Sequence, residues 1–115
     1  MNTLEDMLAA DPSLLLVDDD TAFLSRLERA MDRRGFSVRI ASTVADGIAA
    51  VNEQPPAFAV VDLRLEDGNG LGVVSALHQK RPDARAVVLT GYGNIATAVT
   101  AVKLGAMDYL SKPAD

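Results

Sequence analysis

Apolar residues along the chain gather in five short runs separated by longer stretches of helical spacing. The runs are "LLLVD" (14–18), "FSVRIA" (36–41), "FAVVD" (58–62), "ARAVVLT" (84–90) and "MDYLS" (107–111), and each reads as a strand. Between the first two, Phe23, Leu24, Leu27, Ala30 and Met31 share one helical face, with Asp20 placed to cap its start and Gly35 its end. Val44, Ile48 and Val51 predict a second helix after Ser42 and before "QPP". Leu71, Val74 and Leu77 predict a third before Arg81-Pro82, and Ile95, Ala98, Val99 and Val102 a fourth from Asn94 to Gly105. Strands alternating with helices imply parallel pairing and right-handed crossovers. The expected class is therefore α/β, a doubly wound five-stranded parallel sheet in the order 2-1-3-4-5.

Composition narrows the reading further. At 115 residues the chain is one domain with room for one core. Its residues are 49% hydrophobic but only 4% aromatic, so the core is built from Val, Leu, Ile and Ala, as in a sheet covered on both faces. The net charge of −5 and the absence of a Lys/Arg block argue against a nucleic-acid or anionic-membrane binder. With no cysteine there is neither a disulfide nor a thiolate metal site. No signal-like start or membrane-length apolar run is present, so a soluble, cytoplasmic protein is expected.

Two of the strands end in acid: Asp18 and Asp19 after the first, Asp62 after the third. In the order 2-1-3-4-5 those strands are neighbours at the point where the winding reverses, the usual place for a ligand. Three carboxylates brought together repel unless a cation or proton intervenes, and an all-oxygen donor set points to Mg²⁺. Taken alone, "DDD" is a solvated turn with a helix cap; Asp62 at the switch point shifts the balance towards a metal. Two further strand ends carry Thr90 and Lys112, a hydroxyl and an ammonium suited to the oxygens of a phosphoryl group. Singly, they are an ordinary strand residue and a surface lysine.

Together, "LLLVDDD", "VVDLRLEDGNGL", "VVLTGYG" and "GAMDYLSKP" resemble the receiver domain of two-component response regulators, a flavodoxin-like fold. "DLRLEDGNGL" and the "TGYG" segment followed by "IATAV" are most similar to the redox-responsive Reg/Prr/Act group of proteobacterial regulators. The resemblance implies that Asp62 accepts a phosphoryl group from a sensor histidine kinase. It implies that Asp18, Asp19, Asp62 and the main-chain carbonyl of Arg64 hold Mg²⁺. It further implies that Thr90 and Lys112 contact the phosphoryl oxygens, that Tyr109 is the aromatic switch responding to Thr90, and that the Lys112-Pro113 peptide is cis. Beyond phosphorylating and dephosphorylating its own aspartate with Mg²⁺, such a domain is not an enzyme. One departure stands out: Glu66 occupies the position, four residues after the acceptor, where many receivers have proline.

The resemblance divides the chain into an N-terminal extension, residues 1–13, and a receiver domain, residues 14–115, that lacks its last helix. The DNA-binding output domain of the parent protein would lie outside this chain. Without a fifth helix, a strip of sheet beside the first helix is expected to be bare. "TLEDMLAA", with Thr3 and Asp6 at capping-box spacing and Leu4, Met7 and Leu8 on one face, either covers it, docks on a second copy to make a homodimer, or frays.

Two other functional classes fit parts of the pattern. A phosphatase of the haloacid dehalogenase type also starts with a strand ending in Asp-x-Asp, satisfied by Asp18 and Asp20, although Ala22 replaces the expected Thr or Val. A receiver-like module that binds partners without taking phosphate is the other. The single histidine, His78, reads as a surface or half-buried helix residue, Arg33-Arg34 as a charged helix end, and "GNG" and "GYG" as turns supplying backbone amides to the site.

Overall fold

The computed structural model describes Asp6, residues 10–89, and the backbone of Thr90 and of residues 106–111. Five parallel strands form the main sheet: β1 (Ser13–Val17), β2 (Ser37–Ala41), β3 (Phe58–Asp62), β4 (Arg85–Thr90) and β5 (Ala106–Ser111). Their order is β2-β1-β3-β4-β5, the doubly wound order expected from the sequence. The helices are α1 (Thr21–Arg33), α2 (Val44–Glu53) and α3 (Leu71–Lys80). The expected fourth helix lies outside the described residues, as do Lys112, Pro113 and most of the N-terminal extension. Asp6 and Ala10 are helical.

Period-two alternation sorts the strand residues onto two faces. Leu15, Val17, Ala59, Val61, Ala86 and Val88 pack with Val51 of α2 and Val73, Val74 and Leu77 of α3. On the other face, Leu14 and Leu16 meet Leu24 of α1, with Leu27, Met31, Phe36, Phe58 and Val60 partly buried around them. Phe36 and Phe58 meet edge to face, ring centres 5.5 Å apart. Full burial of a Val or Leu side chain contributes roughly 1.5–3 kcal/mol, so these two layers hold the strand ends in fixed register.

Helix ends follow their local chemistry. Asp20 accepts the Phe23 N–H and starts α1. At its other end, Gly35 takes φ +97°, a conformation that disfavours side chains; its N–H bonds to the Asp32 carbonyl and that of Phe36 to Met31, closing a Schellman turn. Arg39 of β2 reaches the last turn of α2, its guanidinium donating to the carbonyls of Ala50 and Gln54. At the amino end of the sheet, Arg81 bonds the Pro55 carbonyl at 3.1 Å and pairs with Asp11 at 2.8 Å.

Candidate phosphoacceptor and metal site

Because Val17 stands in register with Val61, the residues that follow them, Asp18 and Asp62, come side by side at the carboxyl edge of the sheet. Asp19 comes next, on the turn into α1. One carboxylate oxygen from each of Asp18, Asp19 and Asp62 lies within 4.8 Å of the others. Asp18 is 2% exposed and Asp62 4%, while Asp19 is half-buried. Like charges at such distances repel by roughly 3–4 kcal/mol per pair at an effective dielectric of about 20. Buried carboxylates of this density suit a counter-charge, and an all-oxygen donor set fits a hard divalent cation.

The three acids of "DDD" divide their work. Asp18 Oδ1 accepts the Asp20 N–H at 2.9 Å, which turns the chain. Asp20, exposed, turns its own carboxylate to the Phe23 N–H and caps α1. The Asp-x-Asp phosphatase reading needs Asp18 and Asp20 in one site, and the cap takes Asp20 out of it.

Beyond Asp62 the chain forms a feature that the sequence pattern did not suggest. A two-stranded antiparallel hairpin pairs Arg64–Leu65 with Gly68–Asn69. The Arg64 N–H donates to Asp62 Oδ1 at 3.2 Å, orienting the carboxylate. Asn69 Oδ1 accepts the Leu71 N–H at 2.9 Å, and Gly70 N–H bonds the Leu63 carbonyl at 3.0 Å, leading the chain into α3. Glu66, in the position where many receivers carry proline, is exposed at the hairpin turn beside Asp67. The Asp67 carboxylate crosses to the first turn of α2. It accepts the Val44 N–H at 2.8 Å and the Ala45 N–H at 3.1 Å, and these two bonds hold it below the ordinary carboxylate pKa. The expectation that "GNG" is a turn lending amides to the site is corrected: Gly68 and Asn69 form the second hairpin strand, the turn falls at Glu66 and Asp67, and the Gly70 amide goes to Leu63.

The remaining expected site residues are placed through their strands. Asp62 is in register with Leu89, so Thr90 ends β4 one residue further along, opposite Ser111. Tyr109 stands in register with Val88. Lys112 follows the end of β5 and lies outside the described residues. His78 is exposed in the last turn of α3, well removed in the fold from the strand ends that carry the acids.

Residues 14–115 match the response regulator receiver domain. The chain belongs to the response regulator receiver family. It is 69% identical over 108 residues to the photosynthetic apparatus regulatory protein RegA of Rhodobacter capsulatus, covering 94% of this chain and 59% of that protein. To the acid tolerance regulatory protein ActR of Rhizobium meliloti it is 64% identical over 110 residues, 96% of this chain and 57% of that protein. These are regulators of the group to which the motifs pointed. The chain thus spans under two thirds of the length of these relatives. Among solved structures, a response regulator from Burkholderia pseudomallei with a phosphorylated aspartic acid, a calcium ion and citrate superposes with a TM-score of 0.84. The two share 43% identity over 91% of this chain and 62% of that one. The beryllofluoride-activated receiver domain dimer of NtrC4 gives a TM-score of 0.81 at 30% identity, over 90% of this chain and 86% of that one. The receiver fold is thereby established, and the haloacid dehalogenase alternative finds no support. Among the described residues no helix is long and apolar enough to cross a membrane.

Proposed function

We propose that this receiver domain takes a phosphoryl group onto Asp62 from the phosphohistidine of a sensor histidine kinase. The observation that carries the reading is the convergence of Asp18, Asp19 and Asp62 at the carboxyl ends of β1 and β3. In the transfer, an Asp62 carboxylate oxygen forms a bond to phosphorus as the P–N bond to the donor imidazole breaks, its electron pair staying on nitrogen. A carboxylate is a weak nucleophile, so the protein's part is alignment and charge neutralisation. Arg64 N–H fixes one Asp62 oxygen, and burial keeps bulk water from the acceptor. Asp18, Asp19, Asp62 and the Arg64 carbonyl would hold Mg²⁺, which when bound offsets the charge of the phosphoryl oxygens. Thr90 and Lys112, at the ends of β4 and β5, would hold those oxygens from the other side, and Tyr109 would follow Thr90 as the switch. In the longer cytoplasmic protein the phosphorylated state would control a DNA-binding output domain.

The same chemistry gives the test. Incubation with acetyl phosphate and Mg²⁺, read by intact mass, should add one phosphoryl group to the chain, and none to Asp62→Asn. Unchanged labelling of the Asn variant would place the acceptor elsewhere. A wild-type chain that gains nothing would instead be a receiver-fold binding module that takes no phosphate.

A further inference from the structure

The first turn of α2 is held from outside its own segment. A helix start leaves its first amides without intrahelical partners. Here Thr43 Oγ1 takes the Asp46 N–H at 3.0 Å, and Asp67 takes those of Val44 and Ala45, one on each carboxylate oxygen. Thr43 is adjacent in sequence and is a sufficient N-cap by itself. Asp67 is more than twenty residues away, at the tip of the hairpin whose first residue, Arg64, bonds Asp62. A continuous chain of contacts therefore runs from the α2 backbone through Asp67 and the short hairpin to the acceptor carboxylate. Within the hairpin Leu65 is buried, while Glu66, Asp67, Gly68 and Asn69 are exposed.

We propose that Asp67 is a positioning residue: by clamping the hairpin tip to the start of α2, it sets where Arg64 stands over Asp62, and so tunes metal affinity and phosphoryl uptake. This rests on the reading of Asp62 as the acceptor. An aspartate serves this purpose where a neutral side chain would not, because two acceptor oxygens meet two neighbouring amides and the negative charge sits at the positive end of the helix. The lowered pKa of Asp67 is the consequence of the same two bonds.

The control is built into the helix, since Thr43→Ala removes a cap from the same turn without touching the hairpin. Urea midpoints of Asp67→Ala and Thr43→Ala should fall to a similar extent. Only Asp67→Ala should weaken Mg²⁺ binding by calorimetry and slow uptake from acetyl phosphate, each by roughly tenfold, the lower end of what losing an outer partner that orients a metal ligand costs. Asp67→Asn, which keeps one acceptor oxygen, should fall between. Amide exchange at Arg64 should quicken in Asp67→Ala and not in Thr43→Ala. If wild type is phosphorylated and Asp67→Ala matches it in Mg²⁺ affinity and rate, or if Thr43→Ala is equally slowed, Asp67 is a helix cap only. If wild type takes no phosphoryl group, the reading of Asp62 fails on its own. The Arg64 exchange rates then decide the clamp: unchanged protection in Asp67→Ala overturns it.

Discussion

A side chain at Gly70 would place its Cβ 2.0 Å from the carbonyl oxygen of Asp62 and 2.7 Å from Val61 Cγ1. The start of α3 lies directly against the backbone of Asp62, the proposed acceptor, and glycine is what allows that approach. Neither neighbour can yield cheaply, since one is main chain and the other a fully buried strand residue.

Gly70→Ala should therefore lower stability by about 1–3 kcal/mol, the range of overpacked cores, and slow phosphoryl uptake by pushing Asp62 off line. Gly72, two residues on, is the contrast. Its Cβ would find Val44 Cγ1 at 3.7 Å and Ile48 Cδ1 at 3.8 Å, ordinary contacts. Gly72→Ala, inside α3, should stabilise by roughly 0.5–1 kcal/mol. Urea midpoints of the two variants should move in opposite directions; movement in the same direction would contradict the geometry.

Asp19 is the more exposed member of the acidic cluster, and its removal separates repulsion from ligation. Without Mg²⁺, Asp19→Asn should match or exceed wild type in stability, because one of three crowded charges is gone. With Mg²⁺, it should gain less than wild type, with an affinity about tenfold weaker, about 1.4 kcal/mol. Paired melts in Mg²⁺ and in chelator read both effects. A variant that is destabilised without metal and still fully protected by it would show Asp19 to be structural rather than a ligand.

What the sequence made legible was local or periodic. The alternation in "LLLV" and "FAVV" assigned faces, Asp20 and Gly35 announced the ends of α1, and the clustering of Asp18, Asp19 and Asp62 could be foreseen once the strand order was granted. Strand limits differ by a residue: β1 begins at Ser13 rather than Leu14, because Ser13 already pairs with Ser37. The features that escaped are side chains acting across the fold. Nothing near Asp67 says that its partners are Val44 and Ala45, and nothing near Arg39 says that it will close the end of α2. The hairpin after Asp62 is too short to show alternation; its trace was the crowd of turn formers in "EDGNG".

Arg39 supplies a test of that second long reach. Its guanidinium meets the carbonyls of Ala50 and Gln54, where the negative end of the helix favours a cation. Arg39→Met keeps the aliphatic stem and loses the charge and both bonds, and should cost about 1–2 kcal/mol. Phosphoryl uptake should stay at the wild-type rate, because the carboxyl end of α2 lies far along the helix from Asp67. A variant as stable as wild type would mean that water replaces the guanidinium at no cost.

Acid should weaken the amino end of the sheet in a way that one variant can isolate. The Asp11 carboxyl is held below its usual pKa first by the hydroxyl and backbone amide of Ser13, and then by Arg81. A folded pKa below the unfolded one means stabilisation that is complete above the unfolded value, near 3.8, and is lost as pH falls through the folded value. Asp11 is partly exposed, so solvent screening keeps the effect under about 1 kcal/mol. Asp11→Asn should therefore be slightly less stable than wild type near neutrality, and the gap should close as pH drops below about 4. Mg²⁺ affinity should be the same in both proteins, since Asp11 precedes β1 while the acidic cluster follows it. Urea midpoints across that pH range check the sign; a gap that widened in acid would mean that the neutral carboxyl, not the carboxylate, is the form that Ser13 and Arg81 favour.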